Sequence, residues 1–332
     1  MEIGLTYDLK DDIEAKGQDF PEDALEEYDS IEVIKAISSA LRSLGHTTVR
    51  LGGGRRFLAN ITGRSVDLVF NIAEGRGSMR SREAQVPAVL EMLGIPYSGS
   101  DPLTLAMTLD KPLAKQVVRD AGVATPAWRL IESTAQLRQL IDSEIPLPAF
   151  VKPAFEGSSK GIRLNSRADT AAGARKVARD LLKKYGQPVL IEQYIEGDEV
   201  TVGVIGNAPP AIVGIMRVIP RKKCKTFIYS LEVKRDYLNL VDYECPARLP
   251  QQVMKRIEES SLRAYRALDC RDIARVDFRI GRDGIPYFLE VNPLPGLNPV
   301  SGDIVIMSGK MGWTYRELIS GIIGAAIKRS GL

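Results

Sequence analysis

Two strand-like runs meet at Asp283-Gly284, and this junction constrains the fold more than any other stretch of the chain. Ile273–Ile280 precedes it and Ile285–Val291 follows it. Asp-Gly between such runs is a strong signal for a two-residue hairpin turn. A hairpin fixes register, because a slip of one residue sends every side chain to the other face. Counting outward from the turn sets Asp277 opposite Glu290 and Arg275 opposite Asn292. Alternation then puts these four on one face, and sends Val276, Phe278, Ile280, Tyr287, Leu289 and Val291 into a core. Two carboxylates directly opposite each other repel. A hard cation between them turns repulsion into binding, and carboxylate and amide oxygens suit magnesium. A solvated face on an edge hairpin is the plainer alternative.

The N-terminal part alternates differently. Glu2–Tyr7 reads as a strand, and Asp8–Glu27 as a long acidic loop. Ile31, Ile34, Ile37, Leu41 and Leu44 keep helical spacing up to Gly45. Thr47–Leu51 and Val66–Asn71 read as further strands, and strand–helix–strand alternation argues for a parallel, doubly wound sheet. Helices are expected over Pro87–Leu93, Leu105–Ala121, Asp169–Tyr185 and Gln251–Leu268. Further strands are expected at Phe150–Pro153, Val189–Tyr194, Glu199–Ile205 and Ala211–Val218. At 332 residues the chain is expected to hold two or three domains. The first boundary falls near Ser100–Leu105.

Composition closes off several chemistries. His46 is the only histidine and sits in a helix-to-strand loop, so Ser-His-Asp, Cys-His and HExxH mechanisms lack their parts. Cys224, Cys245 and Cys270 have no CxxC spacing, which speaks against a zinc site or disulfide framework and for a reducing cytoplasm. No apolar run reaches the roughly 18 residues of a membrane helix, and the N-terminus has no secretory pattern. A net charge of +3 with one short basic run, Arg221–Lys225, gives no nucleic-acid stripe. That run reads as a solvated loop.

Lys152 ends an apolar strand, and Glu156-Gly157-Ser158-Ser159-Lys160-Gly161 follows closely. Glycines let backbone N–H groups approach phosphate oxygens, and serines add donors. On its own such a loop reads as an ordinary turn, and Lys111 on its own as a solvated charge. Neither a GxxxxGK[ST] loop nor GxGxxG is present.

Taken together and in order, these segments resemble the D-alanine–D-alanine ligase family of the ATP-grasp fold. The resemblance runs from about Val66 to Leu332. It rests on Leu109-Asp110-Lys111, Val151-Lys152-Pro153, Glu156–Ser159, Ile191–Ile195, Gly197–Gly203, Glu232-Val233-Lys234, Arg275–Phe278 and Glu290-Val291-Asn292 through Pro295-Gly296. It implies a mixed α/β, ATP-grasp fold with an N-terminal doubly wound parallel sheet. The three domains would span residues 1–104, 105–188 and 189–332, with ATP between the second and third.

By the same resemblance Lys111, Lys152, Ser158 and Ser159 serve the phosphates, Glu192 and Ile195 the adenine, and Glu199 the ribose. Asp277, Glu290 and Asn292 hold two magnesium ions, for which manganese can substitute. A closing loop, Arg221–Cys245, brings Lys234 to the γ-phosphate. Arg275 and the Gly296 backbone N–H stabilise the oxyanion, and Ser158 joins Lys234 in the catalytic set. The implied reaction joins a carboxylate to an amine through an acyl phosphate, in cell-wall synthesis or in specialised metabolism on another small acid or peptide. A non-catalytic nucleotide sensor is the alternative of another class. The implied partners are amino acids or small acids and a second copy of the chain, without nucleic acid or membrane.

The substrate half departs from the family. Its N-terminal segment bearing an acid for the first ammonium is missing, leaving Glu27 or Asp29 as substitutes. Glu74 stands where the family has histidine, and Arg235 where it has tyrosine. Ser301-Gly302-Asp303 replaces Ser-Leu near the carboxylate pocket. Asp303 would repel a substrate carboxylate unless Arg235 or another cation offsets it.

Overall fold

The computed structural model describes residues 1–13, 21–222 and 226–332. The centre of the basic run and part of the acidic loop lie outside the described residues. The N-terminal elements are β1 (Glu2–Thr6), α1 (Ile31–Ser43), β2 (Thr47–Arg50), α2 (Gly54–Ile61), β3 (Leu68–Asn71) and α3 (Gln85–Met92). Their sheet has the parallel order β2-β1-β3, and a bridge from Val69 to Tyr97 extends it. Helix α1 buries Val33, Ile34, Ile37 and Leu41, as its spacing requires, and Gly45 turns the chain out at φ +88°.

Next come α4 (Pro102–Leu109) and α5 (Lys111–Asp120). The single helix expected over Leu105–Ala121 is two helices, broken at Asp110. Its side chain accepts the Leu113 N–H and caps α5, whose first turn carries Pro112. The central sheet is built from β4 (Trp128–Ile131), β5 (Ala149–Pro153), β6 (Arg167–Ala168) and β7 (Val189–Gln193), in the order β4-β7-β5-β6. Helices α6 (Thr134–Gln139) and α7 (Ala171–Tyr185) accompany it. Helix α7 is capped by Thr170 and closed by Gly186 in the left-handed region.

The third sheet comprises β8 (Gly197–Ile205), β9 (Ala211–Pro220), β10 (Val241–Glu244), β11 (Ile273–Gly281) and β12 (Pro286–Asn292). Its order is β10-β9-β8-β11-β12. Two short helices, α8 (Leu231–Arg235) and α9 (Tyr237–Leu240), lie between β9 and β10. Helix α10 (Gln251–Ala267) precedes β11, and α11 (Asp303–Lys310) and α12 (Tyr315–Ser330) end the chain.

The sheets do not follow a division at residues 104 and 188. Strand β7 belongs to the central sheet, because it pairs antiparallel with both β4 and β5. Helix α5 packs with α10 on the third sheet through Ala114, Val118, Ile257 and Ala264. Helices α11 and α12 share a core with β1 and α1, joining Ile304, Leu318 and Ile322 to Leu5, Ile34 and Leu41. The segments that link the sheets therefore bury their apolar faces on neighbouring sheets, which leaves a cleft between the sheets lined by strand faces.

Candidate active site

The hairpin is the floor of this cleft. Asp277 lies opposite Glu290 and Arg275 opposite Asn292, as counted. The turn itself differs: Gly284 N–H donates to the Gly281 carbonyl, and Gly281 N–H to that of Ile285. The longer turn shifts the register by one, pairing Phe278 with Phe288 and Arg279 with Tyr287. A β-bulge at Leu289 restores it before Glu290. Phe288, not Tyr287 or Leu289, consequently enters the core, where it is fully buried edge-on against Phe278. Leu289 and Glu290 both face a cavity between the central and third sheets.

That cavity has two kinds of wall. Phe150, Tyr194, Ile195, Val218, Ile228 and Leu289 make an apolar slot. Lys152, Glu192, Glu199, Lys234, Arg275, Asp277 and Glu290 make a charged one. Each acid on the charged wall has a partner. Glu192 is bound by Lys152 at 2.7 Å and by Lys115 at 2.9 Å. Burial raises the Glu192 pKa, but these two cations outweigh it and hold the carboxyl below its usual range. Burial also pulls the Lys115 ammonium down to about 8. Glu199 meets Arg279 at 3.1 Å, and Glu290 meets Lys111 at 3.3 Å. Asp277 is held by Arg275 at 2.8 Å, Thr201 Oγ1 at 2.5 Å and Asn292 Nδ2 at 3.2 Å. Burial works against an ionised Glu290, yet Lys111, Lys152, Arg275 and Lys234 keep it strongly acidic.

Among the described residues no cluster of three or more His, Cys, Asp or Glu side chains could hold a metal by itself. Two carboxylates and one amide, Asp277, Glu290 and Asn292, still suit magnesium. This ion keeps most of its water and commonly takes one or two carboxylates plus phosphate oxygens rather than a full protein cage.

The loop after β5 enters the cleft with Ser158 at φ 49° and Ser159 at φ 58°, two successive left-handed residues. The amides of Gly157, Ser158 and Ser159 donate to no protein acceptor among the described residues. Free N–H groups on a tight loop suit an anion. Lys111 Nζ reaches the Glu156 carbonyl from below the loop. The lid segment docks above it: Leu231 N–H donates to the Ile162 carbonyl, and Lys234 stands 5.1 Å over the Tyr229 ring.

A second cavity of about 360 Å³ adjoins the first and shares Tyr229, Lys234, Arg275 and Asp303 with it. Glu27, Asp29, Glu74, Ser158, Arg235, Asn292, Gly296 and Ser301 also line it. Thus the nominated residues converge on one cleft from segments far apart in sequence, but two have other engagements. Glu27 is bound by Arg82 at 2.9 Å and Lys160 at 2.8 Å, in a buried cluster that also contains Glu156. Its carboxylate is already neutralised, which leaves Asp29 as the acid of the two without an ion-pair partner among the described residues. Arg235 is exposed and pairs with Glu26 at 2.5 Å. The cation beside Asp303 is Arg275, at 3.3 Å. His46 is half-buried in its loop and lines neither cavity.

Several participants escape a linear reading. Lys115 follows Lys111 by one helical turn, a spacing that places both on one face of α5. Thr201 and Arg279 become visible only once β8 is paired with β11, which sets Thr201 beside Asp277 and Glu199 beside Arg279. Glu83 follows no motif, and its place in the second cavity depends on the fold.

The family profile for the D-ala D-ala ligase C-terminus matches residues 117–324. The uncharacterized protein y4sG of Sinorhizobium fredii is 32% identical over 94% of this chain and 92% of its own length. A D-alanine–D-alanine ligase of Aquifex aeolicus is 33% identical over 89% of this chain and 94% of its own. The crystal structure of the Bacillus anthracis D-alanine–D-alanine ligase with ATP shares the fold. Its TM-score is 0.73 at 23% identity, covering 100% of this chain and 99% of that one. With these matches spanning a cleft of this composition, the chain belongs to the D-alanine–D-alanine ligase family, ATP-grasp enzymes that form a carbon–nitrogen bond.

Proposed function

We propose that this chain uses ATP and magnesium to convert an amino-acid carboxylate to an acyl phosphate, then joins it to the amine of a second substrate, releasing ADP and phosphate. The observation that carries this reading is the Asp277–Glu290–Asn292 set where the two cavities adjoin: Asp277 and Glu290 face the first with Lys152, Asn292 faces the second with Lys111, and Lys234 and Arg275 line both. A carboxylate approaching a triphosphate brings negative charges together, and cations must neutralise them. Magnesium held by Asp277, Glu290 and Asn292 would neutralise phosphate oxygens and orient them.

The protein's own groups divide the remaining work. The apolar slot with Ile195 takes a base, and Glu199 a sugar hydroxyl. Lys152, Lys111 and the Gly157–Ser159 amides take phosphate oxygens, and Lys234 comes from the lid. Arg275 lies between the cavities, where it can bind the oxyanion formed when the amine attacks, and Gly296 exposes its backbone beside it. An added Cβ at Gly296 would meet nothing within 4 Å, so this backbone is open to a ligand. The docked lid keeps water from the acyl phosphate.

The acids of the second cavity favour a second reading of the substrate: an amino acid or small acid other than D-alanine. A phosphate-release screen with ATP, magnesium and pairs of D- and L-amino acids tests the function. Turnover that needs both an amino acid and magnesium supports it. ATP binding without amino-acid-dependent phosphate release would favour a nucleotide sensor instead.

A further inference from the structure

Of the six acids that line the second cavity, Glu26, Glu27 and Asp303 are matched by a cation, as are Asp8, Asp23 and Glu156 nearby. Arg82 and Lys160 serve Glu27 and Glu156, Arg76 serves Asp8 at 2.9 Å, Arg163 serves Asp23 at 3.1 Å, and Arg275 serves Asp303. Asp29, Glu74 and Glu83 are different. All three line the cavity, and none has an ion-pair or side-chain hydrogen-bond partner among the described residues. Glu83 is only 8% exposed. A carboxylate this buried, without a partner and at a cavity wall, is expensive unless a ligand supplies the counter-charge.

The backbone holds these acids together. Gly75, at φ +80°, packs so closely on the Arg82 carbonyl that an added Cβ would lie 1.9 Å from it. This contact sets Glu74 beside Glu83. Asp29 and Glu74 also border a small adjoining pocket walled by Phe70, Ile273 and Leu294, which is suited to an alkyl chain. The cations that line the cavity are engaged elsewhere or point to solvent: Lys111 is bound to Glu290, Arg275 to Asp277 and Asp303, and Arg235 to Glu26, Lys234 stands over the Tyr229 ring, and Lys10 is exposed.

We propose that this acidic wall receives the second cationic group of a dibasic amino acid, so that the preferred substrate is a diamino acid rather than alanine. This rests on the ligase reading above. The α-ammonium of a neutral amino acid compensates one of the three carboxylates and leaves two facing each other. A side-chain ammonium compensates another, with its methylenes against the apolar wall, and the last carboxyl keeps its proton. Burial, reinforced by neighbouring acids, holds Asp29 and Glu83 at about 7, and Glu74 well above its usual range, in accord with a wall built for a cation.

The test measures kcat/KM for isosteric pairs with ATP and magnesium, in both enantiomers: 2,4-diaminobutyrate against norvaline, and ornithine against norleucine. The wild-type chain is expected to favour the dibasic member of at least one pair by about tenfold or more, the scale of one charge-assisted contact. Glu74→Gln and Glu83→Gln are expected to collapse that ratio mainly through KM. The ratio is taken within each variant, so a general loss of activity cancels, and Asp29→Asn substitutes if one variant fails to fold. Equal use of both members by the wild type, or a preference that survives in every variant, overturns the inference. If no amino acid supports phosphate release, the ligase reading fails. Turnover of neutral amino acids without dibasic preference overturns only this inference.

Discussion

The two cavities are built from opposite electrostatic arrangements. In the nucleotide cavity Glu192, Glu199, Asp277 and Glu290 each sit within 3.3 Å of a lysine or arginine nitrogen. In the neighbouring cavity Asp29, Glu74 and Glu83 have no such neighbour among the described residues. The first wall is balanced before anything binds, so a polyanion and its counter-ions can enter by exchanging partners. The second wall gathers three carboxyl groups without a counter-charge, which a cation would allow to ionise. The first wall is built from the segments that carry the family resemblance, and the second includes Glu74, which departs from the family.

The largest effect should come from breaking the balanced side. Glu290→Gln removes the carboxylate that opposes Asp277 and pairs with Lys111. Ligation should fall on the order of 1,000-fold, the upper range for losing one group that stabilises transition-state charge. Asp277→Asn should act alike, and both should melt as cooperatively as the parent. Normal turnover by both would remove the metal assignment.

Lys152→Ala leaves Glu192 buried with Lys115 alone. Breaking a buried pair costs about 3 kcal/mol, so chemical denaturation should show that loss alongside weaker ATP binding. An unchanged midpoint would mean that Lys115 suffices.

The open side gives a smaller effect of the other sign. Burial raises the Glu83 carboxyl to about 7 in the folded chain, above its ordinary 4.5. A raised acid favours folding below its unfolded pKa, and that contribution is lost as pH rises through 7. Glu83→Gln has no such loss. Its stability relative to the parent should therefore improve between pH 5 and pH 8, on the order of 1 kcal/mol. A difference that stays flat over this window would show that Glu83 is compensated.

Arg235→Ala should matter least. Its pair with Glu26 is exposed on one side and half-buried on the other, and such pairs contribute about 0.5 kcal/mol. A small change in melting temperature is expected, with no change in the dibasic-to-neutral ratio. A change in that ratio would return Arg235 to the substrate site.

How far the sequence carries can be judged from particular residues. The Asp277–Glu290 pairing was legible because two one-residue departures cancel: the turn is longer than Asp283-Gly284 alone, and the bulge at Leu289 compensates. Phe288 shows the cost, since its face depends on where the bulge falls. Asp110-Lys111-Pro112 carried a helix-start signal, which the apolar periodicity across Leu105–Ala121 obscured. The motif residues were legible because short segments encode them. The Arg82–Glu27 pair joins positions 55 residues apart and needs the fold to exist. Glu83 had no local signal at all, because its meaning comes from the missing counter-charge in three dimensions.

The proposed reaction passes through an acyl phosphate. The most direct measurement labels both carboxylate oxygens of the best amino-acid substrate with oxygen-18 and follows the released phosphate by phosphorus NMR. Attack of the carboxylate on the γ-phosphate makes one labelled oxygen the bridge, and amine attack at carbon expels it with the phosphate. One labelled oxygen is expected in inorganic phosphate for each bond formed, with ADP as the other product. Unlabelled phosphate, or label appearing in AMP with release of pyrophosphate, would contradict it.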